Sequence, residues 1–185
     1  MHNISFQRED RWLFKNLNSE LMPGQCLQVQ GANGSGKSTL LRILAGLIEL
    51  QQGEVIRQQP LHYIGHQNGI KLNLTVAENL ALQAALFNSS TCLLPVIHHI
   101  GLSPLQDTVA GNLSAGQKRR LSFAKLLLSK KPLWILDEPT TSLDKSGQDY
   151  FIHLLNEHLA NQGMAVIATH HPLFIDEERN RCLTL

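Results

Sequence analysis

Residues 31–38 read Gly-Ala-Asn-Gly-Ser-Gly-Lys-Ser, a loop of the form GxxxxGK[ST]. Such a loop constrains the fold on both sides. It works only if a strand delivers the chain to it and a helix leaves from it, so that the free amides of the helix N-terminus face an anion. The flanks agree with this. Cys26 to Gln30 is a short strand pattern after the Pro23-Gly24 turn, and Lys37 to Leu47 is a helix pattern ended by Gly46 and its neighbours. Gly31, Gly34 and Gly36 allow close approach of the backbone, and Ala32, Asn33 and Ser35 complete the cradle. Lys37 should reach the β- and γ-phosphates of a nucleoside triphosphate, Ser38 should ligate magnesium, and Thr39 should contact the α-phosphate.

A second element lies far downstream. Leu133-Trp134-Ile135-Leu136 is an apolar run, expected as a buried parallel strand, and it closes with Asp137 and Glu138. Acids at the C-terminal edge of such a strand stand where open α/β sheets bind ligands. Asp137 is the candidate magnesium ligand, and Glu138 the candidate base for an attacking water. The plainer alternative is helix capping, for which Asp144 is the better placed residue.

Between these lies Leu113-Ser114-Ala115-Gly116-Gln117, a capping-box pattern opening a helix with Leu121, Ala124, Leu127 and Leu128 on one face. Its serine-led tip is a second anion-facing surface on a chain that already has one. A head-to-tail pair of chains, each completing the other's site, accommodates both.

The rest of the pattern fills in an α/β core. Ile4 to Phe6, Leu13 to Leu21, Gly53 to Val55, Leu61 to Ile64 and Ala165 to Thr169 read as strands. Helices are expected from the Thr75 capping box to about Leu86, on toward Ile100, and from about Lys145 to Asn161. The 185 residues suit one domain, with a helical part at about residues 68–130. Hydrophobic content of 43% and a net charge of +1 indicate a globular protein without a nucleic-acid footprint. The basic groups Lys118-Arg119-Arg120 and Lys130-Lys131 are expected on solvated helix faces. Cys26, Cys92 and Cys182 lack metal-ligand spacing and are expected as free, mostly buried thiols. No stretch approaches the roughly 20 apolar residues that span a bilayer, so any membrane part must come from another chain.

On these motifs the chain resembles the ATP-binding subunit of an ATP-binding-cassette (ABC) transporter, over nearly its whole length from about Trp12. The resemblance implies a P-loop NTPase fold: a mainly parallel sheet, an N-terminal antiparallel β subdomain and a helical subdomain. It implies ATP and Mg2+ as ligands, with Gln67 sensing magnesium and the membrane partner, and His170 as the switch histidine at the γ-phosphate. It further implies a homodimer, in which Ser114, Ala115, Gly116, Gln117 and Asp144 act across the interface. The phrases Tyr63 to Lys71, Leu113 to Arg120 and Leu133 to Pro139 are similar to the ATP-binding subunit of the cytochrome c maturation complex, a haem exporter ATPase. That implies integral membrane subunits as partners and a peripheral place on the cytoplasmic face of the bacterial inner membrane. No direct haem ligation is expected, and His171, His98 and His99 are expected to be structural.

Two positions depart from the family pattern. Where an adenine-stacking aromatic is usual this chain has Arg8, with Phe6 and Trp12 as substitutes nearby. Thr140 to Asp144 reads like a general transporter ATPase, which keeps the energy subunit of another ABC transporter as an alternative. A soluble non-transport ABC protein of translation or DNA repair would carry two cassettes or a long coiled-coil insert. Ser38 and Ser114 are too close in sequence for such an insert.

Overall fold

The computed structural model describes residues 1–170 and 172–185. His171, expected to be structural, lies outside the described residues. The chain divides into two compact units, one of Met1–Gly65, Pro132–Pro139 and Phe151–Leu185, the other of His66–Lys131 and Thr140–Tyr150.

The first unit holds both sheets. Strands β1 (His2–Arg8), β2 (Arg11–Leu17) and β4 (Gln52–Glu54) form an antiparallel sheet in the order β2-β1-β4. Strands β3 (Cys26–Gln30), β5 (Leu61–Ile64), β6 (Leu133–Asp137), β7 (Met164–Ala168) and β8 (Asn180–Thr184) form a parallel sheet in the order β5-β6-β7-β3-β8. Both faces of its middle strands are covered, so β7 is buried at every position and β6 at all but its first. This is why these strands read as unbroken apolar runs and not as alternation.

Register places the site. Asp137 of β6 and Val29 of β3 both lie opposite Ala168 of β7. Three neighbouring strands therefore end within one residue of the same rung. The glycine loop, Glu138 and His170 leave from the same edge of the sheet.

Helix α1 (Lys37–Leu44) follows the loop and buries Leu40, Leu41 and Ile43 in a core shared with Ile4, Phe14, Val29, Ile135 and Val166. It stops short of the expected Leu47. Gly46 takes φ 76° and its N–H bonds Ile43 O at 3.0 Å, while Leu47 N–H bonds Arg42 O at 2.8 Å. That is a Schellman closure, which glycine permits at this φ. Arg57 then donates to the terminal carbonyls, Nε to Leu44 O at 2.7 Å and Nη2 to Ile43 O at 2.6 Å. A cation thus sits on the negative end of the helix whose positive end faces the loop.

The second unit is helical. It contains α2 (Val76–Leu86), α3 (Leu93–His99) and α4 (Ala115–Ser129), and α5 (Lys145–Ala160) crosses the boundary between units at Tyr150. Its core joins Val76, Leu80, Val96, Ile97, Ile100, Leu121, Ala124 and Leu128, with Leu127 partly buried beside them. Both expected capping boxes form, at Thr75 with Glu78 and at Ser114 with Gln117.

Several expectations need correction. The helical stretch toward Ile100 is interrupted at Asn88, which has φ 49°, and resumes only at Leu93. Helix α4 is buried on more than one face, because Phe123, Leu126 and Ser122 are buried as well. Arg119 is not on a solvated face but is 3% exposed. Of the cysteines only Cys26 is buried, its thiol pushed up to about 12 by burial, while Cys92 and Cys182 are exposed. Strand β8 was not anticipated at all.

Candidate functional site

In the first unit the loop is shaped by glycine conformations that a side chain would spoil. Gly31 has φ 151°, and a Cβ there would stand 2.7 Å from Ser35 Oγ and 2.8 Å from Leu185 O. Gly36, at φ 106°, is the N-cap of α1 and supplies no side-chain cap. The first-turn amides of a helix have no carbonyl of their own to bond, so those of Lys37, Ser38 and Thr39 face outward for a ligand. Ala32, Asn33, Gly34 and Ser38 are exposed, and Gly34 (φ 78°) has nothing within 4 Å of a would-be Cβ. The space above the loop is open.

Lys37 is only 6% exposed. Its Nζ donates to Gly31 O at 2.8 Å and Ala32 O at 3.1 Å, and lies 3.4 Å from His170 Nδ1. The other ring nitrogen, His170 Nε2, is 3.0 Å from Glu138 Oε1. An ammonium can only donate. Toward Lys37, Nδ1 can therefore only accept. Lys37, His170 and Glu138 thus lie in contact in series. Glu138 itself sits at φ 49°, with its N–H held by Ala168 O at 3.0 Å. A non-glycine residue in the left-handed region costs about 1–3 kcal/mol and persists only where its surroundings impose it. Asp137 is 1% exposed at the end of β6. Of the three residues considered for base stacking, Phe6 is stacked on Phe14 at 6.1 Å, whereas Arg8 is exposed and Trp12 is 38% exposed. Leu13 lies 3.1 Å from a Cβ built on Gly36, so the start of β2 adjoins the loop.

In the second unit, Ser114 Oγ accepts Gln117 N–H at 3.2 Å and Gln117 Oε1 accepts Ser114 N–H at 2.8 Å. The amides of Ala115 and Gly116 lie between these two. A Cβ on Gly116 would stand 3.2 Å from Ser142 O, so the tip of α4 packs against the segment 140–144. Ser142 has φ 68°, and Asp144 Oδ1 caps α5 by accepting Gly147 N–H at 2.8 Å. Asp144 is thus the helix cap expected of it. Gln67 is exposed in the bend after β5. Its neighbours are fixed to α4: Arg119 Nη1 donates to Asn68 Oδ1 at 3.1 Å, and Lys125 Nζ to Asn68 O at 2.7 Å and Gly69 O at 2.6 Å. Burial first, and the nearby Arg119 charge second, lower the Lys125 ammonium to about 8.

The pattern of the ABC transporter family matches residues 14–141. The chain is 39% identical, over 99% of its own length and 96% of the other, to the cytochrome c biogenesis ATP-binding export protein CcmA of Vibrio cholerae. It is 42% identical to the protein of that name from Yersinia pestis, covering 92% of this chain and 85% of that one.

The chain belongs to the ABC transporter family.

As an ABC ATPase it shares its fold with solved cassettes. One is a dimeric ATP-binding cassette in a post-hydrolysis state bound to ADP and Pi, with a TM-score of 0.79, 22% identity and coverage of 92% and 87% of the two chains. Another is an ATP-binding subunit of an ABC transporter, with a TM-score of 0.80, 24% identity and coverage of 91% and 78%. At these identities the likeness speaks for fold alone. Family membership accounts for the glycine loop and the two acids. It leaves Arg119 and Lys125 to be found in the structure, since a basic residue on a helix gives no sign in sequence of which way it points. Asn79, 2% exposed and bonded to both the N–H and the C=O of Lys71, was missed for the same reason.

Proposed function

We propose that this ABC ATPase is the energy-coupling subunit of a membrane complex serving c-type cytochrome biogenesis, in haem export or release of a haem chaperone. The near full-length likeness to proteins named for that process supports this. The observation that carries the hydrolytic part is the Lys37–His170–Glu138 chain at the mouth of the loop.

ATP would lie on the amides of residues 31–39, and its β- and γ-oxygens would replace the loop carbonyls as partners of Lys37. Its base would rest on the β1–β2 hairpin, against Arg8 or Trp12; quenching of tryptophan fluorescence by ATP marks Trp12, and unchanged fluorescence leaves Arg8. Ser38 Oγ and the Asp137 carboxylate are hard oxygen donors of the kind Mg2+ prefers, and Gln67 is proposed as a third. Bound there, the ion would neutralise charge on the transferred phosphoryl group. Glu138 would take the proton of the attacking water as the bond to the γ-phosphorus forms and the bond to the ADP oxygen breaks. His170, held by Lys37 and Glu138, would orient both groups. Ser114, Ala115, Gly116, Gln117 and Asp144 would act on the nucleotide of a second copy. Integral membrane subunits would hold the pair at the cytoplasmic face of the inner membrane.

Glu138→Gln tests this. The variant should bind ATP normally, accumulate as an ATP-bound dimer and lose roughly a thousandfold in hydrolysis. Hydrolysis at the normal rate would remove Glu138 from its role.

A further inference from the structure

Residues 172–176, just beyond His170, have no secondary structure, yet Leu173 and Ile175 are each only 8% exposed. What secures Leu173 is Gln28, in the middle of β3. Gln28 is 0% exposed, although an amide buried without partners would be costly. Its partners are all present. Gln28 Oε1 accepts Leu173 N–H at 2.8 Å, and Nε2 donates to Leu173 O at 2.9 Å and to Asn180 Oδ1 at 2.9 Å. One side-chain amide thus grips both backbone groups of Leu173, as a neighbouring strand would. On the other side of His170, Thr169 N–H donates to Val29 O at 3.1 Å. Strand β3 therefore holds the chain both before and after His170.

We infer that Gln28 is a positioning residue for ATP hydrolysis: by fixing Leu173 it keeps the His170 imidazole between Lys37 Nζ and Glu138 Oε1. This assignment rests on the roles proposed above for Glu138 and His170. Filling space alone would be served equally well by leucine or methionine. The amide supplies what an apolar side chain cannot, partners for both polar groups of Leu173 as well as for Asn180 Oδ1.

Gln28→Met keeps the side chain's length and removes its hydrogen bonds. We expect kcat to fall roughly ten- to a hundredfold through misplacement of the imidazole, with KM for ATP little changed. In a His170→Ala background the same change should cost nothing further. An equal loss in both backgrounds would overturn the role of Gln28 while leaving the hydrolytic proposal intact. Full activity of His170→Ala alone would instead overturn the role of His170. If Gln28→Met does not fold, hydrogen exchange on the unmodified protein decides. The Leu173 amide should be as protected as those of β3, and rapid exchange would refute the grip.

Discussion

In the first unit a buried lysine and a buried aspartate stand at the site, and Lys37 touches His170, which touches Glu138, whereas in the second Ser114 and Asp144 are exposed and bonded to their own helices. Lys37 and Asp137 are 6% and 1% exposed, and the Lys37–His170–Glu138 chain runs entirely within that unit. Ser114, Ala115 and Asp144 are exposed, and the polar atoms they use are spent on capping α4 and α5. The difference shows two ways of meeting a phosphate. One set of groups is preorganised by a sheet edge and gives up internal bonds to a ligand. The other keeps its caps and has only the amides of Ala115 and Gly116 and the Ser114 O–H to add. A strong primary site and a weaker completing one is the division of labour expected if nucleotide binds to the first and the second arrives later.

Three substitutions probe that division, beginning with the largest effect. Lys37→Ala removes a charge-assisted donor worth about 1.5–3 kcal/mol and should weaken ATP binding roughly ten- to a hundredfold, measured by titration calorimetry. Undiminished affinity would mean that the first unit is not the primary site. Ser114→Ala should leave single-chain ATP affinity unchanged, lower hydrolysis about tenfold, and cost about 1 kcal/mol of stability through loss of the cap. A drop in single-chain affinity would erase the contrast between the regions. The smallest effect concerns Lys125, which pins the residues after Gln67 to α4. Its pKa is about 8 in the folded chain against 10.5 for the free side chain. Between these values the unfolded chain retains a proton that the folded chain has released, so stability gains from this group as pH rises across that window. In Lys125→Met that gain should vanish from denaturation curves compared at the two ends of the window.

Much of this was legible beforehand. The glycine loop, the acids at the end of β6, and the capping boxes at Thr75 and Ser114 are local patterns whose chemistry depends on neighbours in sequence. What escaped depends on distant partners. Strand β8 carries the polar residues Asn180 and Arg181 and exists because β3 offers it a parallel edge. Arg119 reads as solvated from its sequence neighbours, yet Asn68 and the Phe123 ring, 5.7 Å from its guanidinium carbon, enclose it. The early end of α1 was signalled by Gly46, but Arg57 as partner of its last carbonyls was not.

Complementation between damaged copies tests most directly whether one copy completes the other's site. Lys37→Ala and Ser114→Ala chains, separately tagged, are co-expressed with their membrane partners, and the mixed pair is isolated through both tags. If the site is shared between copies, the two lesions fall on one site and leave the other whole, so ATP hydrolysis should recover well above that of either variant paired with itself. Hydrolysis in the mixed pair no better than in those variants would place Ser114 and Lys37 at the same copy's nucleotide and contradict the account.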